Sequence, residues 1–266
     1  MTTCRIHFLS GLPRTGSTLL GSVLNQNPSI FATPTSPLYA LLSETNDTLN
    51  LLGLQYTFDE KRIADSVYRD VIKSFYPNDR EFPIVFDKHR GWPKRVDAIR
   101  EFIDPDPKVI CTVRPIAEII ASYITLADKD ADNFIDNHLK RDGVEVTNEA
   151  RAMLLWTEYL RTPYECMTVG MKLHPDSLLL VEYDDLVFDT TKTLERVYGF
   201  CGLEPYEHDT SHIKNTCAEA KDEAWGMKGL HDIRPKLKRM SVNPLAYLPQ
   251  SAVDYFTQFD LGATWH

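Results

Sequence analysis

The sequence predicts an α/β fold: three layers, α/β/α, with helices on both faces of a central parallel sheet. Three observations predict it. The first is a set of short, almost wholly apolar runs: Ile6-His7-Phe8-Leu9, Ile84-Val85-Phe86, Lys108 to Val113, and Ser177 to Val181. Strands buried on both faces read this way, without the alternation of a half-exposed sheet. The second is the helical spacing of apolar residues between those runs, which makes each passage a right-handed parallel unit. The third is scale: 266 residues, 43% hydrophobic and 25% charged, suit one domain with a substantial core.

The first strand runs into Ser10-Gly11-Leu12-Pro13-Arg14-Thr15-Gly16-Ser17-Thr18, after which Leu19, Leu20, Val23 and Leu24 recur at helical spacing. Strand, glycine-flanked loop and helix together make a phosphate cradle. Backbone N–H groups converge on an anion, and the positive end of the helix dipole faces it. The pattern Gly11-x4-Gly16-x-Thr18 matches the P-loop except that Ser17 stands where the phosphate-reaching lysine belongs. The basic residue, Arg14, lies inside the loop instead.

Asn25-Gln26-Asn27-Pro28 stops the first helix, and the prolines of Thr33-Pro34-Thr35-Ser36-Pro37 keep the next stretch extended. A short helix over Pro37–Ser43 begins with proline at its first position. From Asp59 to Tyr76, Ile63, Val67, Val71, Ile72 and Phe75 predict a helix capped by Asp59 and closed by Pro77. The second apolar run ends in Asp87-Lys88-His89-Arg90-Gly91-Trp92-Pro93, and a helix from Pro93 to Phe102 leads to the third. Arg114-Pro115 ends that strand, and Ile116–Ala127 reads as a helix. Residues 128–147 are polar and charged and read as a surface insertion without regular structure. A long helix opens near Asn148, with Pro163 expected to kink or split it. Asp189–Cys201 is a helix with Asp189 as N-cap and Gly202 beyond its end, and Ser251–Phe259 is a short terminal helix.

Composition excludes several classes. A net charge of −9 argues against a nucleic-acid-binding surface while leaving room for a local basic pocket. Cys4, Cys111, Cys166, Cys201 and Cys217 are scattered, with no Cys-x-x-Cys, so neither a disulfide framework nor a thiolate metal site is expected. Cys111 reads as apolar filler. His208-x3-His212 has helical metal-ligand spacing but lacks a third ligand, so no metal is expected. No apolar run is long enough to span a bilayer, and the first strand begins within a few residues of Met1, so a cytoplasmic, reducing setting is expected.

Pro13-Arg14-Thr15-Gly16-Ser17-Thr18 resembles the 5′-phosphosulfate-binding loop of the sulfotransferases. Two further motifs follow in family order. Arg114-x7-Ser122 is similar to the pair that holds a 3′-phosphate. Val181-Glu182-Tyr183-Asp184-Asp185-Leu186 is similar to a strand ending in Tyr-Glu-Asp-Leu, with Asp184 in place of Glu. The resemblance covers residues 4–202. It implies one P-loop-like sulfotransferase domain over 1–266, with a core at 4–202 and a divergent segment, 203–266, covering the site. The implied donor is 3′-phosphoadenosine 5′-phosphosulfate and the product adenosine 3′,5′-bisphosphate, without a metal. The sulfonate would pass in line to an acceptor hydroxyl or amine.

The resemblance also assigns roles. Arg14 and the loop backbone from Pro13 through Thr15 and Gly16 hold the 5′-phosphosulfate, and Ser17 and Thr18 add hydroxyls. Arg114 and Ser122 take the 3′-phosphate, and Tyr183 lies against adenine. Met227-Lys228-Gly229 keeps the Lys-Gly of an Arg-Lys-Gly phosphate contact. Lys88, at a strand end across from the loop, meets the oxygen bridging sulfur and phosphorus, where charge builds in the transition state. The general base is less defined. Position 90 is Arg where cytosolic members have His, and Thr35 and Ser36 stand where tyrosylprotein-type members have Glu. His89 and Glu44 are the candidates. Arg234, Lys236, Lys238 and Arg239 read as a solvated basic face. The acceptor, whether small molecule, glycan or peptide, is expected around residues 32–60, 89–92 and 205–245. Two other readings are an ATP-dependent kinase of small molecules or nucleotides with a deviant P-loop, and a non-catalytic nucleotide-binding module.

Overall fold

The computed structural model describes residues 4–51, 60–76, 82–217, 222, 227, 229–233, 236–237 and 242–261. Five strands, β1 (Arg5–Gly11), β2 (Ile30–Ala32), β3 (Ile84–Lys88), β4 (Val109–Val113) and β5 (Leu178–Glu182), form one sheet in the order β2-β3-β1-β4-β5. Every pairing is parallel. The chain leaves β1 toward β2 and β3 on one side and returns to β4 and β5 on the other. The reversal beside β1 opens a crevice at the carboxyl ends of the strands, where open α/β sheets hold ligands. Register sets what meets there: Leu9 pairs with Lys88, Gly11 with Thr112, and Val113 with Glu182.

Alternate residues of each strand feed two cores. On one face Phe8, Val85, Val109, Cys111 and Val113 pack with Trp92, Ile116, Ile120 and Leu155. On the other, Leu9, Phe86, Ile110 and Val181 pack with Leu20, Leu24, Leu194 and Val197. Burial of each such side chain contributes roughly 1.5–3 kcal/mol, so this double-sided sheet is the rigid base beneath the crevice. The first face is covered by α4 (Val96–Phe102), α5 (Ile116–Ala127), α7 (Asn148–Leu154), α8 (Arg161–Leu173) and α11 (Gln250–Thr257). The second is covered by α1 (Ser17–Leu24), α9 (Tyr183–Phe188) and α10 (Thr190–Cys201). The remaining helices are α2 (Leu38–Leu51), α3 (Glu60–Phe75) and α6 (Phe134–Arg141). Among the described residues no helix is long and apolar enough to cross a membrane.

Several local expectations change. The stretch after the first helix holds β2, an edge strand of three residues too short to show a period. The short helix after Pro37 runs on to Leu51. Within 128–147, expected to lack regular structure, lies α6. Asn133 caps it by accepting the Asp136 N–H at 2.9 Å, and Ile135 and Leu139 are buried one turn apart. Arg151 secures it through Asp136 and Asp128, both at 2.7 Å. Pro163 does not split the long helix. A π turn over Leu155–Leu160 shifts the hydrogen-bond ladder, so Pro163 falls in the first turn of α8, where a missing N–H is tolerated. Asp189 stands at the N-cap of α10, but its side chain makes no cap bond; Gly202 ends the helix at φ +59° as expected. Asp59 and Pro77, the expected cap and stop of α3, lie outside the described residues.

Candidate active site

The loop between β1 and α1 has the backbone of an anion cradle. Gly11 and Gly16 take φ of +146° and +90°, and Arg14 between them is left-handed at +65°. A left-handed arginine costs on the order of 1–3 kcal/mol, which the surrounding structure must hold in place. Successive amides in such a conformation turn inward as a nest for an anion. The nest leads into the first turn of α1, whose N–H groups have no helical acceptors. Gly16 leaves little room for a side chain: a Cβ there would sit 3.0 Å from the Tyr183 ring and 3.2 Å from Leu186. The Thr15 hydroxyl is buried in the fold, donating to the Leu12 carbonyl at 2.6 Å and lying 2.6 Å from the Thr112 hydroxyl. Pro13 is buried, while Ser17 and Thr18 are partly exposed at the head of α1.

The predicted cations converge on this loop. Lys88, buried at the end of β3, directs its ammonium to the Thr18 hydroxyl at 3.5 Å. Its own N–H donates to the Thr33 hydroxyl at 2.8 Å, which pins the strand end. Arg114 ends β4 with its guanidinium 4.5 Å above the centre of the Tyr183 ring, and its Nη1 lies 3.5 Å from the Arg14 carbonyl. The Arg14 side chain crosses to the other half of the crevice. Its Nε donates to the Ser122 hydroxyl at 3.3 Å and its Nη1 to the Leu230 carbonyl. Burial pulls the Arg14 guanidinium below the ordinary arginine range, and the Arg114 charge adds to this. Arg14, Ser122, Arg114 and Tyr183 are therefore one cluster, with Lys88 and Thr18 at its other end. Gly229, at φ +80°, precedes the Leu230 that meets Arg14; Lys228 lies outside the described residues. Arg234, Lys238 and Arg239 also lie outside them.

The two candidate bases are less suited to that task. The His89 ring stacks on Tyr39, with centroids 4.1 Å apart and planes 13° from parallel. Its Nδ1 accepts the Gly91 N–H at 3.1 Å, which places the proton of the neutral ring on Nε2 and makes that nitrogen a donor. Burial, reinforced by Arg90, lowers its pKa to about 4. Glu44 is exposed on α2. Asp87, one residue before Lys88, is wholly buried and bound by Tyr76 at 2.5 Å and Trp92 at 2.7 Å. Burial raises its pKa, and those donors oppose the rise.

Sequence reasoning missed Glu118. One of its oxygens accepts both Nε and Nη2 of Arg114, at 3.0 and 2.9 Å, and so fixes the guanidinium by one edge. The i, i+4 spacing on a helix was the available signal. Thr33 and the Leu230 carbonyl were also missed, since neither belongs to a motif.

Comparison with known proteins bears on this arrangement. The model of the sulfotransferase family matches residues 7–208. The sulfotransferase domain of the Synechococcus PCC 7002 olefin synthase is 18% identical, covers 98% of each chain and superposes with a TM-score of 0.51. Mouse sulfotransferase SULT7A1, solved in complex with PAP, is 12% identical over 96% of this chain and 82% of that one, with a TM-score of 0.53. Sulfotransferase STF9 of Mycobacterium avium is 14% identical over 97% and 76% of the two chains, with a TM-score of 0.51. At these identities the structural likeness is one of fold.

Proposed function

The chain belongs to the sulfotransferase family, and on that premise we propose that it moves a sulfonate group from 3′-phosphoadenosine 5′-phosphosulfate to an acceptor hydroxyl or amine. The observation that carries this reading is the Lys88 ammonium, buried at a strand end and aimed at Thr18 on the first turn of α1. A point charge so placed stabilises negative charge that develops beside the cradle as a bond to sulfur breaks.

The residues fit a nucleotide with two phosphates. The loop amides, Ser17 and Thr18 suit the 5′-phosphosulfate, and Arg114 and Ser122 suit the 3′-phosphate. Arg14, which spans from the nest to Ser122, lies between the two and serves both. Tyr183, already beneath the Arg114 guanidinium, offers a face to the base. Gly229 and Leu230 bring the segment beyond 203 onto Arg14, which supports a single domain over 1–266 with that segment covering the site. With these cations supplying positive charge, in-line displacement follows from positioning and electrostatics, without a metal. His89 is left to orient the acceptor through Nε2–H, since accepting a proton there requires release of the Gly91 N–H. The acceptor is a small molecule, glycan or peptide bearing the nucleophile, and the setting is the cytoplasm.

The test uses ³⁵S-labelled donor with alcohols, phenols and amines as acceptors, and a parallel arm with ATP and Mg²⁺. Label appearing in an acceptor, matched by release of adenosine 3′,5′-bisphosphate, is the expected result. Phosphoryl transfer from ATP without sulfonate transfer would favour the kinase reading and overturn this one. Nucleotide binding with no transfer in either arm would favour the non-catalytic module.

A further inference from the structure

In the reading above, the acceptor lies beside Lys88 and His89 at the end of β3. The chain beyond that point is basic: Arg90, Lys94 and Arg95 follow with no carboxylate before Asp97. Elsewhere in this acidic chain Arg100, Lys108, Arg141, Arg151, Arg161 and Arg196 each pair with a carboxylate. Arg90, Lys94 and Arg95 pair with none among the described residues. The flanking carboxylates are engaged elsewhere. Asp87 is buried and bound by Trp92 at 2.7 Å, and Asp97 is held by Arg100 and His174 at 3.1 and 3.3 Å. Glu165, on the helix α8, is held by Arg161 at 2.9 Å. Glu44 of α2 is exposed and joins no ion pair with the three cations.

Hydrogen bonds fix this basic turn to the crevice. The His89 N–H donates to the Leu9 carbonyl at 3.0 Å, extending the pairing of β3 with β1. The hydroxyl of Ser10, next to the first glycine of the cradle, donates to the Arg90 carbonyl at 3.3 Å. Tyr39 of α2 stacks on His89, and one helical turn on, the Ser43 hydroxyl accepts from Arg95 Nη2 at 3.4 Å. α2 and the turn therefore run side by side, from His89 next to Lys88 to Arg95, roughly one 5.4 Å pitch farther along the helix. Gly91 permits this approach, because a Cβ there would collide with the Tyr39 ring. On the other side the Pro93 carbonyl packs so closely on Gly170 of α8 that a Cβ at Gly170 would collide with it. The turn is thus rigid, with Arg90 and Lys94 exposed and Arg95 half-buried.

We infer that this turn selects an acceptor bearing an anionic group, a carboxylate, phosphate or sulfate, in addition to the hydroxyl or amine that is sulfonated. Arg90 and Arg95 recognise that group, and Lys94 adds a flanking charge. The inference rests on the sulfotransferase reading above. A guanidinium presents a planar fork of donors that matches a carboxylate or the oxygens of a phosphate. His89, with its proton on Nε2, adds a donor at the end nearest Lys88. An anionic acceptor gains from each of these groups, whereas a cationic amine without an acid group is repelled. With a net charge of −9 the chain as a whole disfavours an anion, and the turn is where that sign reverses beside the site.

The experiment measures ³⁵S transfer by the full chain to acceptors in matched pairs, hydroxyphenylpropionate against its amide and glycerol phosphate against glycerol. The Kd of adenosine 3′,5′-bisphosphate is read on the same preparations by calorimetry. The anionic member of each pair should have a kcat/KM at least tenfold higher, chiefly through KM. That ratio should fall as salt rises, because exposed cations are screened. Arg90→Gln with Arg95→Gln should cut the ratio about tenfold or more while the bisphosphate Kd changes less than about threefold. Arg90→Lys with Arg95→Lys should keep part of the preference, having the charge without the fork. Lys192→Gln, which removes an exposed charge on α10 across the sheet, should leave the ratio unchanged. Neutral members that react as well as anionic ones overturn the inference. So does a ratio that survives the double Gln variant, or one lost equally in Lys192→Gln. A wild type that binds the bisphosphate and labels no anionic member also overturns it, while label in neutral members alone leaves the sulfotransferase reading standing. If the bisphosphate is not bound and nothing is labelled, the sulfotransferase reading fails and the inference fails with it.

Discussion

Removal of Arg114 probes the second phosphate position, but Arg114→Met alone perturbs two things. The Arg114 and Glu118 side chains are 3% and 17% exposed and share one carboxylate oxygen at 2.9 Å. Removing only the guanidinium strands a largely buried carboxylate, a change that costs about 3–5 kcal/mol when the pair is well buried. Asp260 stands near enough to Glu118 for the two charges to repel, which adds to the loss. The stranded carboxylate would also repel a 3′-phosphate. The informative variant is therefore Arg114→Met with Glu118→Gln, which leaves no net charge behind. In the wild type, adenosine 3′,5′-bisphosphate should bind at least tenfold more tightly than AMP, because a charged hydrogen bond contributes roughly 1.5–3 kcal/mol. The double variant should shrink that gap by about tenfold or more through loss of bisphosphate affinity, with AMP affinity nearly unchanged. Arg114→Met alone should invert the order, AMP then binding more tightly. Calorimetry on the three proteins, with thermal melts to follow the stability loss, reads all of this. A double variant that keeps the wild-type gap would refute the placement of the 3′-phosphate at Arg114.

Other outcomes follow from the same geometry. With its pKa lowered to about 4, His89 remains neutral through pH 5, so His89→Ala should leave the shape of the rate profile between pH 5 and 8 unchanged; an acid limb near pH 6.5 that vanishes in the variant would contradict the tautomer drawn from Gly91. His7 is buried in β1 with no hydrogen-bond partner for either ring nitrogen among the described residues, and burial lowers its pKa from 6.5 to about 4. The unfolded chain therefore takes up the proton first, so this contribution is fully present above pH 6.5 and is lost as the pH falls toward 4. That loss amounts to roughly 3 kcal/mol, and urea titrations at pH 7 and 4.5 should show it in the wild type and much less of it in His7→Phe. Gly16→Ala, strained at φ +90° and crowded by Tyr183 at 3.0 Å, should weaken bisphosphate binding at least tenfold and cost about 1–3 kcal/mol of stability; binding at wild-type strength would show that the loop amides do not hold the phosphate.

What was legible in the sequence was what local chemistry announces. Four of the five strands are apolar runs, and the cradle and Arg114-x7-Ser122 have fixed spacings, so the parallel sheet and the site's position were readable. β2 was not, because three residues carry no period. α6 was hidden because its two buried apolar residues, Ile135 and Leu139, sit among charges whose partner, Arg151, is remote in sequence. The site was legible where a motif set it. Arg14 is an instructive exception: its position was readable, but its left-handed backbone and its reach to Ser122 and Leu230 depend on contacts more than 100 residues away. The place of His89 could be read from the strand end, but not the Gly91 N–H that occupies the lone pair on its Nδ1.

Lys88 gives the most direct test of sulfonate transfer. Its ammonium lies 3.5 Å from the Thr18 hydroxyl, and in the proposed mechanism it meets charge that appears only as the bond to sulfur breaks. Transfer from ³⁵S-labelled donor and the Kd of adenosine 3′,5′-bisphosphate should be measured on the same preparations of wild type and Lys88→Ala. The expected result is a fall in kcat of about 10²–10³-fold with at most a few-fold change in Kd, since the interaction is made in the transition state. A folded Lys88→Ala protein with the wild-type kcat, or one whose rate loss is matched by an equal loss of nucleotide affinity, would contradict it.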